Sequence, residues 1–521
     1  MGINLKKIVD FTNTPFVRNI FNKIPRLLPP INRLRIDRDD LVNISKNKIL
    51  ESFKSQDIKG LQRIWQSKIM QIMYDIDNID QEDKDPVCSK ETKEILKKNL
   101  LECRIKLYGL LDGEIASSMK VFFGEDFVTV SGVSPDNAKD LIPSEEESFN
   151  VLEELSELYI KDIAPDFNPS FFLIFKSVIK NKCSSLLKKL KIFENNSDRD
   201  QSVSKEIKEL IDREEIVIFL PNHVSNFDHL PALFALNKKG IITPVVVAGD
   251  NLYKGESGKI LPMINVLKLR RGNIVGKKPW LLNPVYNASN REVNNYLMDK
   301  NEPLMFYAEG TRSRDGKISK SKVGIIKNLI EYAKEIHKDV YFVPISLAYT
   351  DVEEDKDLEK SRKGEGDITN GSLLNQFLSL GDKISHPVHV NFSSPIKISP
   401  NGEVTSNGES LGIARVEDSI NCNDLAVRVM EEINRGIIKT STYYLADLIV
   451  NTIDMNTNAY FSIGSIREKH SIDYDGEEIL QEGIDVFVKK GFIKESENKG
   501  NYEILNKELI TQYANRLKMA E

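Results

Sequence analysis

The chain has 521 residues, 40% hydrophobic and 29% charged, an ordinary soluble composition with room for about two to four domains. Its formal charge of −6 disfavours a nucleic-acid-binding protein, and no apolar run approaches the roughly 18 residues of a membrane-spanning helix. Four scattered cysteines (Cys88, Cys103, Cys183, Cys422) lack Cys-x-x-Cys spacing, which argues for a reducing compartment and against zinc or any other bound metal.

Residues 1–36 carry seven Lys/Arg and one acid, Asp10, a local charge of +6 that leaves −12 for the rest. Phe11, Phe16, Phe21, Leu27 and Leu28 are interleaved with those cations. Met1 to Pro30 has no continuous apolar core, so no signal peptide is expected. Apolar positions at three- and four-residue spacing predict helices over 58–79 and 91–111, separated by acidic linkers. Residues 1–165 are therefore expected to form a helical accessory domain with a basic leading segment. Residues 166–196 are expected to hold a basic amphipathic helix. Phe171 to Phe193 contains six lysines and no acid, a pattern suited to an anionic membrane surface.

From 197 to 410, short apolar runs alternate with helical stretches. Strands are predicted at 216–220, 243–248, 304–307, 340–347 and 388–392, giving an α/β domain with a mostly parallel sheet flanked by helices. Residues 353–370 look like a charged, mobile insertion, and 402–409 like a flexible loop. The first strand ends at Pro221 and is followed by Asn222-His223-Val224-Ser225-Asn226-Phe227-Asp228. Residues five apart sit about 140° from each other on a regular helix, so His223 and Asp228 meet only if His223 lies in the turn before a helix and Asp228 in its first turn. Ser225 and Asn226 are good helix caps for that arrangement. A carboxylate on one imidazole nitrogen fixes the tautomer and leaves the other nitrogen to take a proton.

The 304–307 run is broken by Glu309-Gly310, and Arg312, Ser313 and Arg314 follow. Arg270-Arg271 follows the apolar stretch 263–269. Guanidinium forks bind phosphate in bidentate fashion and stay charged at any relevant pH, so four arginines near two strand ends suit a phosphorylated substrate. Gly310 is expected to permit a turn and to place backbone N–H groups for an oxyanion.

These motifs in this order, His-x4-Asp, Arg-Arg, Glu-Gly-x-Arg-Ser and a strand carrying Val343-Pro344-Ile345, resemble those of the glycerolipid acyltransferases. Ala248-Gly249-Asp250-Asn251-Leu252 and the doubled arginine most resemble the glycerol-3-phosphate 1-O-acyltransferases. The resemblance covers about 210–395 and weakens toward the C-terminus, where 425–449 and Tyr513-Ala-Asn-Arg-Leu517 are similar to the family's final region. The segment Asn265-Val266-Leu267-Lys268-Leu269 departs from the Gly-Ala-Phe-Phe usual in the family. The resemblance implies transfer of a fatty acyl group from acyl-CoA or acyl-carrier-protein, as co-substrate rather than cofactor, to the sn-1 hydroxyl of glycerol 3-phosphate. His223, Asp228, Glu309 and Gly310 would be catalytic, Arg270, Arg271, Arg312 and Arg314 phosphate-binding, and Ser313 and Pro344 supporting. Lysophosphatidate and dihydroxyacetone phosphate are the alternative acceptors. A catalytically dead protein that binds membrane surfaces is the alternative of a different class. The implied location is the cytoplasmic face of a membrane, peripherally attached.

Residues 411–521 are expected to be mainly helical. A helix over 477–490 followed by two short strands resembles a winged helix, and the acidic residues nearby point to packing rather than to DNA reading.

Overall fold

A computed structural model describes residues 37–54, 58–81, 86–109, 143–195, 202–253, 255, 257–270, 273–274, 278–279, 283–313, 315–362, 384–413, 415–416, 419–455, 460–470, 472 and 474–519. The basic segment 1–36 lies outside these residues. The chain divides into two compact units. One holds Asn168–Val247 and Asn301–Glu521, the other Arg35–Phe167 and Ala248–Lys300.

The first unit is built on a mixed sheet. Its strands are β1 (Leu190–Asn195), β2 (Ile216–Pro221), β3 (Val245–Gly249), β4 (Leu304–Met305), β5 (Val340–Tyr349), β6 (Val388–Ser393), β7 (Ile396–Ile398), β8 (Glu403–Ser406) and β9 (Glu409–Ile413). The spatial order runs β9-β8-β7-β5-β2-β4-β3. β5, β2, β4 and β3 are parallel, in a register that sets Ile216 beside Val340 and Ile218 beside Leu304. Every residue of β2 is buried, which is why it reads as an unbroken apolar run: a central parallel strand is covered on both faces. The free edge of β5 is shared. Its first half pairs with β7 and its second half with β6, both antiparallel, and β1 adds parallel to β6. The shift from β6 to β7 comes at Ser394-Pro395, where proline has no N–H to continue the ladder.

Two expectations are corrected here. Residues 402–409 are not a loose loop but the β8–β9 hairpin, turning on Asn407 (φ 54) and Gly408 (φ 76), the paired left-handed conformations that an Asn-Gly turn favours. Part of the charged insertion is the helix Asp355–Arg362.

The tail of this unit has the helix–strand–helix–helix–hairpin order of a winged helix: Ser441–Thr452, Tyr460–Ser462, Ile463–His470, Tyr474–Lys490, Ile493–Glu495 and Asn501–Ile504, closed by Lys507–Asn515. Its helices close on Tyr443, Phe487, Phe492 and Tyr513, and the cluster includes Ala348 of β5, so the tail is packed on the sheet. A Cβ at Gly483 would come within 2.6 Å of the Ser441 carbonyl oxygen, so glycine permits that close helix crossing.

The second unit is mainly helical and takes in 248–300, which the sequence pattern places with the α/β domain of 197–410. Pro284–Asp299 packs against Arg38–Lys54, Ile58–Gln81 and Glu145–Ile163. Ser144 caps Glu145–Ile163 by accepting from the Glu147 N–H, and three glutamates fill that first turn, where the helix dipole favours negative charge. Asn283 caps Pro284–Asp299 in the same way, with proline at the first helical position, where its missing N–H costs nothing.

Candidate active site

The site lies at the carboxyl ends of β2, β4 and β5, where open α/β sheets place their ligands. Asn222, just past β2, extends the sheet with its side chain. Its Nδ2 donates to the Leu347 carbonyl (3.1 Å) and its Oδ1 accepts from the Leu347 N–H (2.7 Å). That clasp fixes where the next residue, His223, leaves the sheet.

His223 Nδ1 lies 2.8 Å from Asp228 Oδ2, so the spacing argument holds in its essential contact. The route differs from the one expected. The helix begins one residue later, at His229–Lys238, and the Asp228 carboxylate turns back onto the loop. Oδ2 accepts from the N–H groups of Val224 (2.6 Å) and Ser225 (2.8 Å), and Oδ1 from the Tyr349 hydroxyl (2.7 Å). Asp228 is fully buried, which is tolerable because its carboxylate is saturated with donors. An anion facing Nδ1 holds the proton there and makes Nε2 the basic nitrogen. The imidazole stacks on the Tyr307 ring at 4.2 Å and 21°, which limits its rotation.

Glu309 braces the same loop. Its Oε1 accepts from the His223 N–H (2.7 Å) and its Oε2 from the Ser319 N–H (2.8 Å). Burial pushes this carboxyl up to about 7, even though both N–H donors favour its charged form. Gly310 has φ 72, and a Cβ there would lie 2.9 Å from Lys322 Cγ. Its own N–H donates to the Tyr307 carbonyl (2.9 Å), so the turn uses that donor. The Ser313 N–H donates to the His223 carbonyl (3.1 Å), closing the two motif loops on each other.

Arg312 pairs with Glu354 at 3.7 Å. Glu354 also accepts from the Ser225 hydroxyl (2.8 Å) and the Asn226 N–H (2.5 Å), and burial raises its pKa. Ser225, expected as a helix cap, instead bridges Glu354 and the Phe227 N–H. Pro344 sits within buried β5, beside Leu220 of β2. Arg271 and Arg314 lie outside the described residues.

Arg270 belongs to the second unit. Its Nε bonds Asp162 Oδ2 (2.6 Å), its Nη1 bonds Gln71 Oε1 (3.2 Å), and its guanidinium lies over Tyr74 at 4.5 Å. Burial alone would raise the Asp162 pKa, but the charges of Arg270 and Lys268 outweigh it and hold the carboxyl low.

A cleft of ≈ 240 Å³, open to solvent, is lined by His223, Glu309, Ser313, Lys317, Tyr443 and Arg516 among others. Tyr307, Tyr349 and Glu354 carried no motif signal, and Arg516 was marked only as part of the Tyr513-Ala-Asn-Arg-Leu517 segment, with no site role. The two tyrosines share one available cue: a polar-tipped aromatic ending or following an apolar strand run.

Comparison with known proteins converges on the same region. Residues 202–348 match the Acyltransferase family. A glycerol-3-phosphate acyltransferase of Alteromonas mediterranea is 30% identical over 241 residues, 44% of this chain and 28% of that protein. Proteins of the same name from Ectopseudomonas mendocina and Pseudoalteromonas atlantica are 29% identical over 185 residues and 26% over 259 residues. These stretches cover 35% and 49% of this chain. The match spans less than a third of each relative, 21% and 30% of the latter two.

Proposed function

We propose that this chain, whose residues 202–348 match the Acyltransferase family, transfers a fatty acyl group from an acyl thioester to the sn-1 hydroxyl of glycerol 3-phosphate. The observation that carries the reading is the 2.8 Å contact of His223 Nδ1 with a buried, donor-saturated Asp228, on the wall of the cleft. His223 Nε2 takes the hydroxyl proton as the oxygen attacks the thioester carbonyl. The C–S bond then breaks, and the departing thiolate takes the proton back from Nε2. Products are the acylated glycerol phosphate and the free thiol of coenzyme A or acyl-carrier-protein. General-base help of this kind supplies about 10²–10⁴-fold. Asp228 stabilises the imidazolium as it forms. Glu309 keeps the His223 backbone in place, and Arg312, with Arg271 and Arg314 of the matching motifs, supplies positive charge for the phosphate. Arg270 anchors the strand Val266–Leu269 through Asp162.

Work at a membrane surface fits the fatty product. Lys180, Lys182, Lys188, Lys189 and Lys191 are exposed, while Phe171, Phe172 and Leu186 of the same stretch are buried. Among the described residues no helix is long and apolar enough to cross a membrane. We therefore assign this face to the anionic cytoplasmic leaflet, through charge rather than insertion.

The test is an acceptor panel with palmitoyl-CoA and palmitoyl-acyl-carrier-protein. Glycerol 3-phosphate is expected to be the preferred acceptor, and His223→Ala to abolish turnover while leaving vesicle binding intact. Preference for lysophosphatidate or dihydroxyacetone phosphate rejects the acceptor assignment. Absence of turnover on every acceptor rejects the enzyme.

A further inference from the structure

One buried cation of the cleft comes from the tail. Arg516 follows the helix Lys507–Asn515, and its side chain lines the cleft with His223, Glu309 and Lys317. The tail is fastened to the loop that follows Glu309-Gly310. The Ile318 N–H donates to the Lys518 carbonyl (3.0 Å), Asn515 Nδ2 to the Asp315 carbonyl (3.0 Å), and Ile318 forms a bridge with Met519. Gly316 (φ 91) makes room: a Cβ there would lie 2.0 Å from the Gln512 carbonyl oxygen.

Arg516 is only 5% exposed. Its guanidinium rests on the rings of Tyr513 (4.9 Å) and Tyr443 (5.7 Å), and Nη1 reaches the Tyr443 hydroxyl at 3.5 Å, the outer limit of a hydrogen bond. Its Nε has no hydrogen-bond partner among the described residues. The nearby Asp355 carboxylate accepts from Lys490 (2.9 Å) and the Tyr513 hydroxyl (3.0 Å) through Oδ2, while Oδ1 has no hydrogen-bond partner among the described residues. Arg312 and Arg270 each have a carboxylate within 4 Å, whereas Arg516 is contacted by tyrosines and feels the Asp355 charge that Lys490 shares. A guanidinium does not escape burial by losing its proton, and a buried charge whose nearby carboxylate is shared with a second cation is incompletely offset. Its fork is suited to a tetrahedral dianion entering from the cleft, with Lys317 as a second charge on the wall.

We propose that Arg516 binds the phosphate of the acceptor and so sets the distance between that phosphate and the hydroxyl presented to His223. The inference rests on the acyltransferase reading above. The acyl donor carries phosphates too, but Arg516 lines the same cleft as His223, where the acceptor hydroxyl must sit.

The experiment compares wild type with Arg516→Lys and Arg516→Met. Initial rates are measured against glycerol 3-phosphate and palmitoyl-CoA separately, and unfolding midpoints are measured with and without inorganic phosphate. Arg516→Met is expected to raise KM for glycerol 3-phosphate by about 10–100-fold, the loss of a charge-assisted pair. It is expected to change kcat by less than about threefold, leave KM for the donor unchanged and abolish the phosphate-induced rise in midpoint. Arg516→Lys, which keeps the charge and loses the fork, is expected to fall between. A folded Arg516→Lys protein with unchanged glycerol 3-phosphate KM overturns the proposal. So does a KM rise confined to the donor, or a wild-type midpoint indifferent to phosphate. The midpoint measurement needs no turnover, so a failure of the acyltransferase reading is seen separately in the wild-type rates.

Discussion

Replacing Glu309 with Gln isolates the cost of keeping a buried carboxylate beside the imidazole loop. Burial raises the Glu309 pKa from 4.5 to about 7, and the residue is only 2% exposed. The folded protein therefore holds a proton that the unfolded chain releases between those two values. In that window the folded state binds more protons, so stability falls as pH rises. A shift of about 2.5 units corresponds to about 3 kcal/mol, fully expressed once pH exceeds the folded-state value. Glutamine does not ionise, so the stability of Glu309→Gln minus that of wild type should climb by about 3 kcal/mol between pH 4.5 and pH 8. Urea unfolding followed by circular dichroism at half-unit pH steps gives both curves, and groups common to the two proteins cancel in the difference. A difference that stays flat across the window would refute the reasoning. It would mean that the His223 and Ser319 N–H donors fully offset the loss of water and keep the carboxylate ionised throughout.

Asp228→Asn should cut kcat by about 10²–10⁴-fold, because a neutral amide no longer stabilises the imidazolium. Loss confined to KM would contradict this. Gly316→Ala adds a Cβ 2.0 Å from a backbone oxygen at a positive φ. It should cost about 2–4 kcal/mol and lower the thermal midpoint, and unchanged stability would show that the tail does not seat as described. Glu354→Ala strands the Ser225 hydroxyl, the Asn226 N–H and the Arg312 charge. It should destabilise by about 1–3 kcal/mol in urea titrations, while Glu354→Gln, which still accepts hydrogen bonds, should recover most of that.

Much of the site was readable because its parts lie close in sequence. The His223–Asp228 contact follows from a five-residue spacing that no regular helix allows, and the buried strand before it announces itself as an unbroken apolar run. The Asn407-Gly408 turn was misread as a loose loop, although an Asn-Gly pair between short β runs is the local signal of a hairpin. Other features were hidden by distance. Arg270 and Arg312 look alike as letters in a motif, yet the carboxylate that engages Arg270 stands 108 residues away. Glu354 sits in a charged run that resembles solvent-exposed chain, and only the fold carries it under the His-x4-Asp loop. Arg516 is a lone cation near a polar helix, and nothing local shows that it becomes buried among tyrosines.

The interleaving of the two units has a practical consequence. The polypeptide leaves the sheet-bearing unit after residue 247 and rejoins it at 301. A fragment cut to the 202–348 family match would carry 248–300 without the helices that bury Arg270, and would omit Glu354, Tyr443 and Arg516. Such a piece would present hydrophobic faces to water and a half-walled pocket, so its inactivity would say nothing about the chemistry of the intact chain. Deletion scanning is therefore the wrong tool for this protein, and point substitutions in the full chain are the right one.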